Sequence, residues 1–438
     1  MATLIMTDEV WETDVTVALT THTRHHHVPS PVSPTFAAPA PAARLTFGPV
    51  ALAAAVARTA TTRPGRPRLL SGLQRSALAQ LECLVSNNTA FELTEDFSDL
   101  ADTERTLIAA RCGAGITDLY MNALGYVWRA NAACLSDALD PHADFLYDGG
   151  NASGLGVVLA EAHGSFAASA TGKSVAAAAR RKYARQVKPH VDTPSPFGHV
   201  IHGYSIAFGS QPGSVGAFLS VAETRIPKAK KPPVSPPSKT AGPAGRRPDD
   251  GGPIELFAHR SNFLLMGAGK VVDWIDWLIG AAEVPEDLAP ARFLRFRYGG
   301  LTFLGVEVSI WPSWLRHLFG DIYWEDPTFW RPSIRREVLR RYLGGDYGWF
   351  VIEEKAGLSF LDGLTGMIRA GDTRRVPLEL PTLEPIGFDL EGGRELRRTI
   401  ERPGYDFALF RDGLALLRHP FRPGPIDIVT WSPKEGLG

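Results

Sequence analysis

The chain has 438 residues, a formal net charge of -1, 44% hydrophobic residues and 21% charged residues. That is the profile of a folded protein with room for about two domains, and it supplies no global positive field, so any contact with nucleic acid must come from local patches. Cys83, Cys112 and Cys134, with no CxxC pair, exclude a disulfide framework or a zinc ribbon and point to a reducing cytoplasm; no apolar run reaches the roughly 18 residues of a spanning helix, so a membrane is not among the expected partners.

Residues 1–65 are rich in Thr, Pro and Ala. They are expected to form a disordered low-complexity arm, with a short helix at 47–57 and with His25-His26-His27 as a solvated polar tract. From Leu69 to Cys134 the pattern is helical. Leu73, Leu78, Leu81 and Leu84 mark one amphipathic segment, and 103–114 and 117–130 mark two more.

Residues 143–148 and 157–165 read as strands, and they carry the most informative residues of the chain. Alternate side chains of a strand point to opposite faces. Asp144 and Asp148 therefore share a face. Val157, Leu159, Glu161 and His163 share another, which turns from apolar to ionisable, while Val158, Ala160 and Ala162 line the reverse. Carboxylates at the end of a buried strand need a neutralising partner, and a hard divalent cation is the simplest. The glycine-rich 149–156 lacks the Lys of a phosphate loop and reads as a hairpin connection.

The next segment, 173–191, is an Ala-rich, basic helix with Gly172 and Ser174 at its start and Pro189 at its end. Helical spacing places Arg181, Arg185 and Lys188 on one face, suited to a phosphodiester backbone. Strands follow at 202–209 and 216–224, and His199 and His202 beside them read as structural.

In this order (strand with Asp, strand with Glu-x-His, basic helix, strand) the chain resembles the PD-(D/E)XK, restriction-endonuclease-like nuclease superfamily over about residues 75–225. The resemblance implies an α/β fold with a mixed sheet flanked by helices. It implies Mg²⁺ or Mn²⁺ held by Asp144 and Glu161, with Asp148 as an accessory ligand, and hydrolysis of DNA or RNA. His163 stands where the family has Lys, so His163 itself, or Lys173 or Lys182 from the helix, would stand in for the missing cation. Tyr183 and Gln186 would face the site and position substrate or water, beside Arg181, Arg185 and Lys188 on the backbone.

The Pro- and Lys-rich 226–253 reads as a linker. Residues 254–438 read as a second, Trp-rich α+β domain, with helices at 268–282, 333–343 and 393–401 and strands at 301–310, 348–354 and 405–410. It holds Trp274, Trp277, Trp311, Trp314, Trp324, Trp330, Trp349 and Trp431, residues used both in cores and at interfaces. A literal Glu353-x-Lys355 competes there with Glu161-x-His163. Arg335, Arg336, Arg340 and Arg341, near Trp330 and Tyr342, read as a surface helix. The expected function is a metal-dependent nuclease. The alternative is a catalytically inactive member of the fold that binds or assembles through residues 254–438, as a homodimer or with a protein partner.

Overall fold

The computed structural model describes residues 11–27, 38–62, 81, 83–135, 141–148, 156–225, 253–306, 348–373, 378–390, 407–418 and 426–438. Its strands, in chain order, are β1 (Val15–His26), β2 (Arg44–Phe47), β3 (Trp128–Asn131), β4 (Phe145–Asp148), β5 (Val157–Ser165), β6 (Pro194–Ser195), β7 (Gly198–Ser210) and β8 (Ala217–Arg225), then β9 (Ala291–Tyr298), β10 (Leu301–Val306), β11 (Gly348–Glu353), β12 (Phe388–Asp389), β13 (Phe407–Leu409), β14 (Leu414–Arg418), β15 (Asp427–Ser432) and β16 (Gly436–Leu437). The α-helices are α1 (Pro49–Ala60), α2 (Asp102–Ala123), α3 (Gly172–Lys182), α4 (Ile254–Met266), α5 (Gly269–Leu278) and α6 (Glu354–Ala370).

The fold is mixed α/β. One sheet is mixed and runs β12-β2-β1-β8-β7-β5-β4-β3, with β6 added on β7; the other is antiparallel and runs β13-β14-β11-β10-β9-β15-β16. In the first sheet β3, β4 and β5 form an antiparallel meander, α3 crosses over, and β7 returns parallel to β5. The 149–156 connection thus joins an antiparallel pair, as a hairpin must, although 149–155 lie outside the described residues.

The strand periodicity translates directly into layers. Val157 and Leu159 pack with Val175, Ala178, Ala179, Tyr183 and Val187 on the α3 side. Val158 and Ala160 pack with Ile116, Leu119 and Tyr120 of α2 on the other side. Helix α3 begins at a capping box in which Thr171 and Ser174 satisfy each other's backbone N–H groups. Its last turn carries Arg180, Arg181 and Lys182, which complement the negative end of the helix dipole.

Several expectations are corrected. The 1–65 segment is not a disordered arm where it is described. Val15 and Val17 are buried, β1 pairs parallel with β8, and α1 is almost wholly buried. Alternating Val residues and an Ala-rich run have packing value that composition alone hides, and the helix expected at 47–57 is α1. His25 and His26 belong to β1. Helices expected at 103–114 and 117–130 merge into α2, which stops at Ala123 because Gly125 turns the chain at φ 102°; Trp128 to Asn131 is then free to pair as β3. The helix expected at 173–191 is interrupted. After α3 come a π-helical turn, Tyr183–Val187, and a 3₁₀ turn, Lys188–His190.

In the C-terminal region α5, β10, β11 and β13 fall within the expected segments, while 333–343 and 393–401, with Trp330, Arg335, Arg336, Arg340, Arg341 and Tyr342, lie outside the described residues. Trp274, Trp349 and Trp431 are buried. The core does not part between the two regions. Strand β12 pairs with β2, and Ile254 and Ala258 of α4 pack in the cluster under β5. A buried charge network spans the junction: Arg58 Nε donates to Asp118 Oδ2 at 3.0 Å, Arg58 Nη1 to Asp412 Oδ1 at 2.9 Å, and Asn262 Nδ2 to Asp412 Oδ2 at 2.9 Å. Arg129 Nη2 donates to Arg58 O at 2.7 Å and Tyr147 Oη to Asp118 Oδ1 at 2.9 Å. Burial would raise the Asp412 carboxyl, yet Arg58 and Arg129 hold it below the usual carboxylate range.

Candidate functional site

Antiparallel pairing of Phe145 with Ala160 puts Asp144, the residue before β4, across from Glu161 on β5. The side chain of Asp144 closes the gap: its Oδ2 accepts the Ala162 backbone N–H at 2.9 Å. Its main-chain carbonyl accepts from Ala132 N at 3.2 Å. Asp144 is exposed and Glu161 is fully buried, so the pair sits where the sheet face meets solvent.

The charge of Glu161 is answered from the helix. Lys182, at the end of α3, donates from Nζ to Glu161 Oε1 at 2.9 Å, while Glu161 Oε2 is buried with no hydrogen-bond partner among the described residues. Burial first, and then the neighbouring Asp144 charge, push the Glu161 carboxyl up to about 8, against the opposing pull of Lys182. A carboxyl in this state takes up or releases a proton close to neutral pH, a property concentrated at functional sites.

His163 lies two residues beyond Glu161 on the same face, half-buried. Burial lowers its pKa, and Lys182 and Arg181 lower it further, so the imidazole is neutral at neutral pH and does not replace a fixed cation. Lys173 is exposed in the first turn of α3, nine residues and about 13 Å along the helix from Lys182. Of the two lysines only Lys182 reaches the carboxylates.

Asp148 closes β4 opposite Trp128, about 13 Å from Asp144 at the strand rise. The accessory-ligand assignment is therefore corrected: parity places both aspartates on one face but at opposite ends. Tyr183 is also corrected. It is buried, its ring stacks on His25 at 4.3 Å, and its hydroxyl lies 2.8 Å from Thr224 Oγ1; it holds α3 to β1 and β8 and does not face substrate. Gln186 donates from Nε2 to the His142 carbonyl at 2.9 Å. Arg181, Arg185 and Lys188 are exposed on the helix and the turns after it. The rival Glu353 is the N-cap of α6, with its carboxylate accepting from Ala356 N at 3.0 Å, which explains that acidic residue without a ligand.

The opposite face of the first sheet holds a separate polar cluster. Arg24 Nε donates to Glu223 Oε1 at 3.1 Å, and His22 Nε2 lies 2.9 Å from the same atom. His202 lies 4.0 Å from Glu223 Oε2, and burial drives its pKa down to about 3, so it is a neutral core residue. Tyr204, paired with Glu223, points to this same face, whereas Ser205, paired with Glu161, points to the other. His199 is fixed by Asp192 at 2.8 Å.

Among the described residues no three His, Cys, Asp or Glu side chains converge as a metal cage. Asp144 and Glu161 are the carboxylates here that would hold Mg²⁺, an ion commonly bound by one or two carboxylates with water completing its shell. Among the described residues the buried Oε2 of Glu161 is left as a hard donor without a geometric hydrogen-bond partner. Among the described residues no helix is long and apolar enough to cross a membrane. No protein-family model, curated protein or solved structure matches the chain.

Proposed function

We propose that the chain is a metal-dependent nuclease with a restriction-endonuclease-like core, in which Asp144 and Glu161 hold Mg²⁺ and Lys182 takes the place of the missing Glu-x-Lys lysine. One observation carries this reading: a Lys from the helix after β5 donates to the buried carboxylate of β5 at 2.9 Å, beside an exposed Asp set across from it by the β4–β5 hairpin. The order helix, three-stranded meander, helix and parallel strand supports it.

Bound Mg²⁺ would supply Lewis-acid charge to a phosphodiester and to its attacking water. The protein's own residues do the rest. Asp144 and Glu161 set the ligand geometry. Lys182, one-third exposed, can turn from Glu161 toward charge that develops on a phosphate. Arg181, Arg185 and Lys188 present donors to the nucleic-acid backbone, where contacts orient the substrate without reading its sequence. DNA and RNA both meet this description.

A silent member of the same fold, acting as a binding or assembly protein, is favoured by the same ion pair, since Lys182 already neutralises Glu161. Incubation of the purified protein with supercoiled plasmid, linear duplex, single-stranded DNA and RNA, in Mg²⁺ and then Mn²⁺, separates the two. Cleavage that disappears in Glu161→Ala and Asp144→Asn supports the nuclease. No cleavage, with no metal-induced rise in melting temperature, leaves the binding protein.

A further inference from the structure

The helix after β5 does more than deliver Lys182. Past Lys182 the backbone widens into the π-helical turn Tyr183–Val187 and tightens again into the 3₁₀ turn Lys188–His190. A π turn inside a helix advances side chains out of α register and is frequent at functional sites. Here the π turn carries the Gln186 amide and the 3₁₀ turn the His190 ring over the segment that enters β4. Gln186 Nε2 donates to the His142 carbonyl at 2.9 Å, and His190 Nε2 lies 3.1 Å from the Pro141 carbonyl. A carbonyl only accepts, so this His190 nitrogen carries its proton in either charge state. The two anchors fall two and three residues before Asp144.

We infer that Gln186 and His190 are positioning residues: they clamp the 141–144 segment so that the Asp144 carboxylate is held on the Ala162 N–H and opposite Glu161. The clamp rests on the proposed nuclease reading for its purpose but not for its existence. Asp144 is an exposed residue outside the strand proper, whose carboxylate bonds the Ala162 N–H and whose carbonyl accepts from Ala132 N. With the clamp, one irregular helix sets both halves of the site, Lys182 on Glu161 and the loop under Asp144. The family position from which a Gln would touch substrate or water is here occupied by a Gln whose amide is committed to the protein's own backbone.

The test uses the full chain and the variants Gln186→Leu and His190→Ala. Hydrogen exchange is followed at the Ala162 amide, whose partner is the Asp144 carboxylate, with the amides of Val158 to Ala160 as internal reference. Mn²⁺ affinity is measured by calorimetry on the same samples. The clamp requires that Ala162 exchange at least about tenfold faster in each folded variant while the reference amides keep their rates, a local release that a general loss of stability does not produce. Wild-type exchange at Ala162 in a folded variant overturns it. If Gln186→Leu does not fold, His190→Ala, on the outer turn, decides alone. Should the wild-type protein bind Mn²⁺, about tenfold weaker binding in Gln186→Leu is expected, and unchanged binding overturns the positioning role. Faster Ala162 exchange in a protein whose wild type binds no Mn²⁺ leaves the clamp standing and removes the nuclease reading.

Discussion

At the scale of single residues, Glu161 governs the behaviour of the site. Its carboxyl sits at about 8 in the folded chain against an ordinary 4.5, so between those values the native state holds a proton that the unfolded chain releases. Stability from this group therefore falls as pH rises from about 4.5 to 8. Urea unfolding at pH 5 and pH 8.5 is expected to show a loss in the wild-type protein that Glu161→Gln reduces by on the order of 2 kcal/mol; equal losses in both proteins would remove Glu161 as the cause. A second comparison concerns the missing lysine. On the proposed nuclease reading, Lys182→Met is expected to lower cleavage in the plasmid assay by about a hundredfold or more, and His163→Ala by less than about tenfold, because, of the two, only Lys182 is a fixed charge and it bonds Glu161. The reverse order would return the role to His163. The face shared by Glu161 and His163 was legible in the sequence because a strand has period two and Val157 and Leu159 declare which side is apolar. Asp148 was not, because parity fixes a face and says nothing about which end of a strand meets the neighbouring carboxylate.

At the scale of elements, the site depends on how closely helix and strand backbones approach. Gly113 of α2 and Gly164 of β5 face each other so tightly that a methyl group on either would collide with main-chain atoms of the other element. Backbone cannot yield as a side-chain tip can, so Gly164→Ala is expected to destabilise the protein by about 3 kcal/mol or to prevent folding, read from the urea midpoint. A cost under about 0.5 kcal/mol would show that α2 slides freely on β5. Neither glycine announced itself in the sequence, since close packing of non-adjacent elements leaves no local periodicity. The π turn was equally hidden. The Ala-rich pattern of 173–191 has ordinary helical spacing, and it takes the two carbonyls of the 141–144 segment to show why the helix loosens. The role of Tyr183 was misread for a related reason: its partners His25 and Thr224 belong to β1 and β8, and the parallel pairing of those strands is a long-range event with no signature in either segment.

At the scale of the whole molecule, the two regions separated by 226–253 behave as one body where they are described. Arg58, Asp118, Arg129 and Asp412 are all buried to within 1% of complete. Removing one member of such a network leaves an uncompensated buried charge, so Asp412→Ala is expected to cost about 3–5 kcal/mol, and Asp412→Asn less, because the amide keeps a hydrogen-bonding oxygen. Denaturant melts followed by Trp fluorescence would check both, and a cost near zero would show that water reaches the junction. The second sheet was legible in part from its apolar strands, while 226–252, read as a linker from their Pro and Lys content, lie outside the described residues. What the sequence concealed was that β2 takes β12 as a neighbour and that α1 takes a partner from the β13–β14 turn.

The Arg58–Asp412 bond joins residues 354 apart in the chain, and this bears on timing during synthesis. A ribosome adding roughly 5–20 residues per second exposes β1, α1, β4 and β5 many seconds before residue 412 is made. Throughout that interval Arg58 lacks its C-terminal counter-charge, Asp412, and the edge of β2 lacks β12. Prematurely terminated products ending near residue 225 should be cleared by proteases as incompletely folded species. Pulse-chase proteolysis of ribosome-bound chains stalled before and after residue 412 is expected to show protection of the first sheet only in the longer set.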